Sequence, residues 1–304
     1  VFGHRLKEEL VKRGNDFTPH NPSNSICIIQ GNYYPSCKNI LRLDGLYFDS
    51  NNPNNEQLNS PIFKCYKEFD HIVFQSMFAK NMYESFTGVK KDHTIIYNGI
   101  NPDFREYSPH NANERDHYFF LTGLKKKFRK LFIASASWRR HKRLEETIQA
   151  FKNNKLKDCA LIALGGEEYI LKNYGPECVP ENVFLFPILP FYSTSVFYSL
   201  ADAMIHLCMF DTCPNSVIES LICGTPVLCS HNGGTHEIVR GNGVVVKLEE
   251  DYSPGTYYPY YDPPKIDIEA IATGALEAAK CPKNFRREDL EIENVAKKYE
   301  DIMI

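Results

Sequence analysis

The sequence predicts an α/β protein built from two Rossmann-like domains, each with a parallel sheet facing a shared cleft. Three observations lead there. Short apolar runs rich in β-branched residues alternate with helical periodicity along most of the chain, the pattern of parallel βα units. The series is interrupted at residues 106–127 by turn formers of low periodicity and then restarts. At 304 residues, 43% hydrophobic and 24% charged, the chain is long enough for two medium domains with sizeable cores.

In the first unit, Phe2, Leu6 and Leu10 recur at i, i+4 and i+8 before Gly14, which predicts a helix over 2–13. Strands are expected at Ser25–Gln30, Asn39–Leu43, His71–Phe74 and Thr94–Tyr97, with a helix near Phe78–Phe86. The Asn-rich run 51–59 reads as a loop, and the unit ends near Arg105. Residues 106–127 read as a linker or irregular insertion. Six more strands follow at Lys130–Ala136, Cys159–Leu164, Val183–Phe186, Ala203–Leu207, Pro226–Cys229 and Gly243–Val246. Leu144, Ile148 and Phe151 share one face of a helix between the first two of these, and helical patterns at Asp267–Lys280 and Arg287–Ile304 close the chain. The expected domains are 1–105 and 106–286, with helix 287–304 packing back on the first.

Composition narrows the function classes. Thirty-five Lys+Arg against thirty-eight Asp+Glu give a net charge of −3 and no basic field for a polynucleotide, so no nucleic-acid partner is expected. No apolar run approaches the roughly 20 residues that span a bilayer, and the start VFGHRLKEELVKRG lacks the basic and apolar parts of a signal peptide. A cytoplasmic location is the expectation. The ten cysteines form no C-x-x-C pair and no metal-site spacing, and several lie inside apolar strands, so they read as reduced, buried thiols. The basic run Leu124–Lys130 reads first as a solvated linker, with weak contact to an anionic membrane surface as the alternative. Residues 252–264, YSPGTYYPYYDPP, are either a rigid surface loop or a platform on which a sugar stacks.

The most informative segment is 209–239, MFDTCPNSVIESLICGTPVLCSHNGGTHEIV. Asp211 and Glu219 follow the strand AMIHL, and a helix begins near Pro214, Asn215 and Ser216, with Asn215 or Ser216 as cap. Unpaired N–H groups at such a helix start, with Val217 in its first turn, suit a diphosphate. A second segment, ASASWRRHKRLEETIQAF at 134–151, clusters cations at a strand-to-helix junction, where they oppose the helix dipole.

Together these segments resemble the donor-binding signature of retaining glycosyltransferases of family 4, which have the GT-B fold. The matching residues are Asp211, Glu219, the turn Cys223-Gly224-Thr225-Pro226-Val227 and the loop Gly233-Gly234-Thr235-His236-Glu237. The resemblance implies a retaining, metal-independent hexosyltransferase acting on a GDP- or UDP-sugar, with mannose favoured and glucose next, and on a glycan or glycoprotein acceptor. It implies no cofactor and no metal. Glu219 would accept the ribose hydroxyls, Lys142 would hold the diphosphate, and Asp211, standing where the family usually has Glu, would orient the sugar with Asp44 of ILRLDGLYFD. The family's Arg five residues before the Lys is Ser137 here, and Arg139, Arg140 or Arg143 are its candidate replacements. Asn98-Gly99 in IIYNGINPDF is first of all a turn signal. In this family a central strand and a glycine turn precede the first helix, so a missing first strand, with a gap between its neighbours or another element filling it, is expected in the first sheet. A nucleotide-sugar epimerase and a non-catalytic nucleotide-sugar or glycan binding module remain the alternatives.

Overall fold

The computed structural model describes residues 2–17, 22–105, 112–283 and 287–304. The first domain contains α1 (Phe2–Lys12), β1 (Asn24–Ile28), β2 (Lys38–Leu43), α2 (Asn55–Glu68), β3 (His71–Phe74), α3 (Met77–Thr87) and β4 (His93–Ile95). Its four strands pair in parallel in the order β1-β2-β3-β4. They are contiguous, so the expected gap between neighbours is not found among the described strands, and β1 is an edge. Residues 29–37 join β1 to β2, and Asn39 holds that connection by exchanging hydrogen bonds with Tyr34 and donating to the Cys37 carbonyl. The Asn-rich run is not all loop. Helix α2 begins at Asn55 and accommodates Pro61.

The second domain contains α4 (Ala112–Lys127), β5 (Lys130–Ser135), α5 (Leu144–Ala150), β6 (Cys159–Leu164), α6 (Gly166–Asn173), β7 (Val183–Phe186), α7 (Ser195–Leu200), β8 (Ala203–His206), α8 (Asn215–Ile222), β9 (Val227–Ser230), α9 (Thr235–Val239), β10 (Gly243–Val246) and α10 (Ile268–Ala278). The region expected as a linker is a 16-residue helix from Ala112 onward, and residues 106–111 lie outside the described residues. The periodicity is weak because the apolar stripe that α4 buries is narrow, Leu121 and Leu124, while Phe119 is left 64% exposed. Lys125, Lys126 and Lys127 of the basic run occupy its last turn, where cations complement the helix dipole.

The second sheet is parallel throughout, in the order β10-β9-β8-β5-β6-β7. Alternation along β5 sends Leu131 and Ile133 to one face, under α4, α7, α8 and α9, and Phe132 and Ala134 to the other, under α5 and α10. Because β5 has β6 on one side and β8 on the other, the chain leaves the sheet in opposite directions there. A crevice therefore opens between the carboxyl ends of β5 and β8.

Helix α11 (Ile292–Met303) returns to the first domain. Val295, Ala296, Tyr299 and Ile302 pack with Phe2, Leu6 and Leu10 of α1 and with Ile40, Val73 and Ile96. Gly99 is needed at this return, because a Cβ there would lie 3.0 Å from the Ile292 Cα. None of the ten cysteines is joined in a disulfide. No helix among the described residues is long and apolar enough to cross a membrane.

Two contacts set the domains against each other at the glycine-rich loop. The Glu237 carboxylate accepts from the N–H groups of Met77 and Phe78, at 2.7 and 2.8 Å, and so caps α3 from the other domain. Gly234 lets the loop approach closely, since a Cβ there would lie 2.2 Å from the Thr212 carbonyl oxygen and 2.5 Å from Ser76 Oγ. Gly234→Ala is expected to cost about 1–3 kcal/mol by overpacking, and Glu237→Ala about 0.5–2 kcal/mol by loss of the cap. Urea unfolding followed by circular dichroism checks both, and wild-type midpoints in the two variants would overturn the assignment.

Candidate functional site

The site assembles at the crevice between β5 and β8. The loop after β5 forms a single 3₁₀ turn at Arg140–Lys142 before α5, and the loop after β8 runs through Asp211 to α8. These loops bring the Lys142 ammonium to 2.6 Å from Asp211 Oδ2. Burial alone would lower the Lys142 pKa, but Cys208 and Asp211 beside it outweigh burial and raise it. Burial likewise works to raise Asp211, and the ammonium prevails and lowers it. The pair is therefore charged at neutral pH.

The histidines and the thiol beside it are neutral. Burial lowers His206 to about 4 and His141 to about 3, and pushes the Cys208 thiol up to about 11. His206, Cys208 and Asp211 each bring a ligand atom within 4.8 Å of the others, a spacing that suits a metal ion. Lys142 already bonds Asp211 and lies against Cys208, so the cation of this cluster is the ammonium itself.

A cavity of about 550 Å³ opens beside the pair, lined by Arg139, Lys142, Asp211, Pro214, Asn215, Ser216 and Glu219 among others. The start of α8 thus faces the same space as the ammonium. Pro214 is its N-cap residue and no side chain caps it, so the expected Asn215 or Ser216 cap is not formed. Asn215 instead accepts from Asn98 Nδ2 at 3.2 Å, leaving N–H groups of the first turn for another acceptor. Glu219 is half-buried, and Tyr198 donates to its Oε2 at 3.0 Å. Burial raises the Glu219 carboxyl, with Tyr198 and Arg5 working in the opposite direction.

Two expected binding residues lie elsewhere. Val217 is fully buried in the core beneath α8, because the helix turns it toward the sheet while Asn215 and Ser216 face the cavity. Arg143 is fully buried and left-handed at φ 59°, and its guanidinium pairs with Glu249 at 2.9 Å and donates to the Pro264 carbonyl at 2.9 Å. Arg140 pairs with Glu146 at 2.6 Å. Of the three arginines weighed from the sequence, Arg139 is the one lining the cleft.

Asp44 follows β2, where it accepts from the buried Arg42 and from Gln75. Its neighbour Gly45 lines a second cavity, of about 400 Å³, together with Arg139, Lys142 and Asp211. Arg42 also donates to Asn98, whose backbone N–H reaches Cys213 Sγ at 3.2 Å and whose side chain reaches the Cys213 carbonyl at 3.3 Å. Asn98-Gly99, expected as a turn, thereby couples the first domain to the start of α8. Sequence reasoning missed Tyr198, Asn98, Asn55 and His141 as site residues. Their local contexts carry no signal: Tyr198 meets Glu219 of another helix, Asn98 meets the other domain, and Asn55 and His141 line a cavity whose walls come from both domains.

Residues 119–252 match the family model described as glycosyl transferases group 1. No curated protein matches the chain. Among solved structures, HepE of Anabaena in complex with UDP-glucose is 14% identical, with 88% of this chain and 72% of that chain covered and a TM-score of 0.55. Sucrose-phosphate synthase of Thermosynechococcus elongatus is 16% identical over 88% and 67%, at 0.63. WaaG, a glycosyltransferase involved in lipopolysaccharide biosynthesis, is 14% identical over 99% and 90%, at 0.53. The chain therefore has the GT-B fold of glycosyltransferases, and most of its second domain matches the group 1 family model.

Proposed function

We propose that this protein is a retaining, metal-independent hexosyltransferase that moves a sugar from a nucleoside diphosphate to a carbohydrate acceptor. The observation that carries the reading is the convergence, on one cavity at the sheet's switch point, of the Lys142 ammonium, the uncapped start of α8 and the Glu219 carboxylate. Those are the groups a nucleotide sugar requires: a cation and N–H donors for its diphosphate, and a carboxylate for its ribose hydroxyls. A carboxylate has two oxygens, and Tyr198 engages one of those of Glu219.

In the reaction, the acceptor oxygen forms a bond to the anomeric carbon on the face from which the diphosphate departs. The bond from that carbon to the diphosphate oxygen breaks, its electron pair leaves with the diphosphate, and the acceptor hydroxyl proton passes to the departing phosphate oxygen. Lys142 and the α8 amides stabilise the charge that develops there, and such preorganised electrostatics supply much of the rate. Asp211 holds Lys142 in place and, with Asp44, orients the sugar. The neutral histidines matter because they leave Lys142 and Asp211 as the charges at the centre of the buried cluster. The donor is GDP-mannose by the family resemblance, and the UDP-glucose of the HepE complex supports a UDP-sugar equally.

Calorimetric titration with UDP-glucose and GDP-mannose tests the donor. Lys142→Ala is expected to lower turnover by about 10²–10³-fold, and Glu219→Ala to weaken nucleotide binding by about 1.5–3 kcal/mol, both with wild-type circular dichroism. The product should keep the donor's anomeric configuration by NMR, and EDTA should leave the rate unchanged. Binding of neither nucleotide, or unchanged behaviour in both variants, would sink this reading.

The buried histidines predict a pH dependence of stability. Unfolded, both titrate near 6.5, and folded they titrate at about 4 and about 3, so below 6.5 the unfolded chain binds more protons. Stability is full above that value and falls by about 1.4 kcal/mol per pH unit for each histidine as pH drops toward the folded values. The melting temperature should decline from pH 7 to pH 5, and His206→Gln should flatten part of the decline. An unchanged slope in His206→Gln would contradict the assignment.

A further inference from the structure

Asn98 stands where the domains meet, on a turn that the first domain holds in place. Arg5 of α1 donates to the Gly99 carbonyl at 3.2 Å, Ile100 N donates to the Leu290 carbonyl at 3.0 Å, and Ile292 N of α11 donates to the Ile100 carbonyl at 2.9 Å. The Asn98 side chain is 4% exposed, and its Oδ1 accepts from Arg42, a guanidinium 2% exposed that lies 4.2 Å over the Phe2 ring and also holds Asp44. A side-chain amide offers an acceptor on one side and two donors on the other. The acceptor of Asn98 is thus committed to the first domain, and its donors are turned to the second.

Those donors meet the segment between Asp211 and α8. Asn98 Nδ2 donates to the Cys213 carbonyl at 3.3 Å and to Asn215 Oδ1 at 3.2 Å, while the Asn98 backbone N–H reaches Cys213 Sγ at 3.2 Å. Cys213 is therefore gripped at two points. Its own N–H donates to the Asp211 carboxylate, which pairs with Lys142 at 2.6 Å. On the other side of Cys213, Pro214 has no N–H and its carbonyl takes the Val217 N–H at 3.1 Å, so the amides of Asn215 and Ser216 form the open end of α8 beside the cavity. An Asn oxygen at such a position readily bonds nearby backbone N–H groups. Asn98 occupies that oxygen instead.

We infer that Asn98 is a positioning residue for the donor's phosphates: from the first domain it draws the Asn215 oxygen away from the α8 amides and fixes Cys213, so that those amides and Lys142 meet the diphosphate in one geometry. The inference rests on the donor reading above. In that reading the ribose engages Glu219, four residues farther along α8 and bonded to Tyr198 rather than to this network. Affinity for the phosphates is then set partly by the first domain, and affinity for the nucleoside is not. Asn98→Asp isolates the effect, because it keeps an acceptor for Arg42 and turns a carboxylate, with no donor, toward the Cys213 carbonyl and Asn215 Oδ1.

Calorimetric titration of the full chain with UDP and GDP, and saturation-transfer NMR with uridine and guanosine, test this. The nucleoside diphosphate that the wild type binds is expected to bind at least tenfold more weakly in Asn98→Asp, with nucleoside affinity unchanged. That loss should shrink at least threefold when Asn98→Asp is made in an Asn215→Ala background, since the competing oxygen is then absent. Asn98→Ser, smaller and uncharged, carries the same expectations where Asn98→Asp does not fold. Unchanged diphosphate affinity, an equal loss for the nucleoside, or an undiminished loss in the Asn215→Ala background overturns the inference alone. Binding of neither UDP nor GDP by the wild type overturns the donor reading and this inference with it.

Discussion

The cleft depends on a helix of one domain being capped by a carboxylate of the other. Glu237 satisfies two amides at the start of α3, and Gly233 and Gly234 make that reach possible. Gly233 is left-handed at φ 83° and passes within contact of the backbone at Met209 and Asp211, while Gly234 lets the loop close on Ser76. The loop that carries Asp211 is thus held from behind by the contact that fixes the domains. Orientation of the domains and placement of the charged pair are one constraint.

Two further links act in the same direction. Asn98 ties Arg42 and Asp44 of the first domain to Cys213 and Asn215 of the second, and α11 fills the outer face of the first sheet with α1. The Tyr- and Pro-rich run crosses from the second domain to the segment after β2, where Phe210 packs against Tyr252, Tyr258 and Phe48. Arg143 shows how burial changes a residue's role: a guanidinium removed from water needs a matched anion, and Glu249 provides one away from the cleft. Its left-handed backbone is held by the surrounding packing and by its bonds to Glu249 and the Pro264 carbonyl, at the two ends of that run.

Much of the architecture was legible because parallel sheets buried on both faces read as apolar runs. All ten strands among the described residues fall where such runs lie, within a few residues at their ends. Helix α4 was not legible, since its stripe is narrow and its exposed face carries Tyr118, Phe119 and Phe120. The start of α2 was hidden by asparagines, of which Asn55 and Asn59 are buried and bond the neighbouring loop through side chains rather than to water.

For the site, sequence alone determined the local chemistry. The helix start at Pro214, Glu219 one turn farther on, the lysine in the loop between β5 and α5 and the paired glycines are set by short-range rules of dipole and backbone freedom. Tertiary structure decided which of the clustered cations face the cleft, that Val217 belongs to the core, and that His141, Asn55 and Tyr260 share a cavity. Those outcomes depend on desolvation and on partners distant in the chain, such as Asp211 for Lys142 and Glu249 for Arg143, and no local pattern encodes which charge will find its counter-ion in the folded interior.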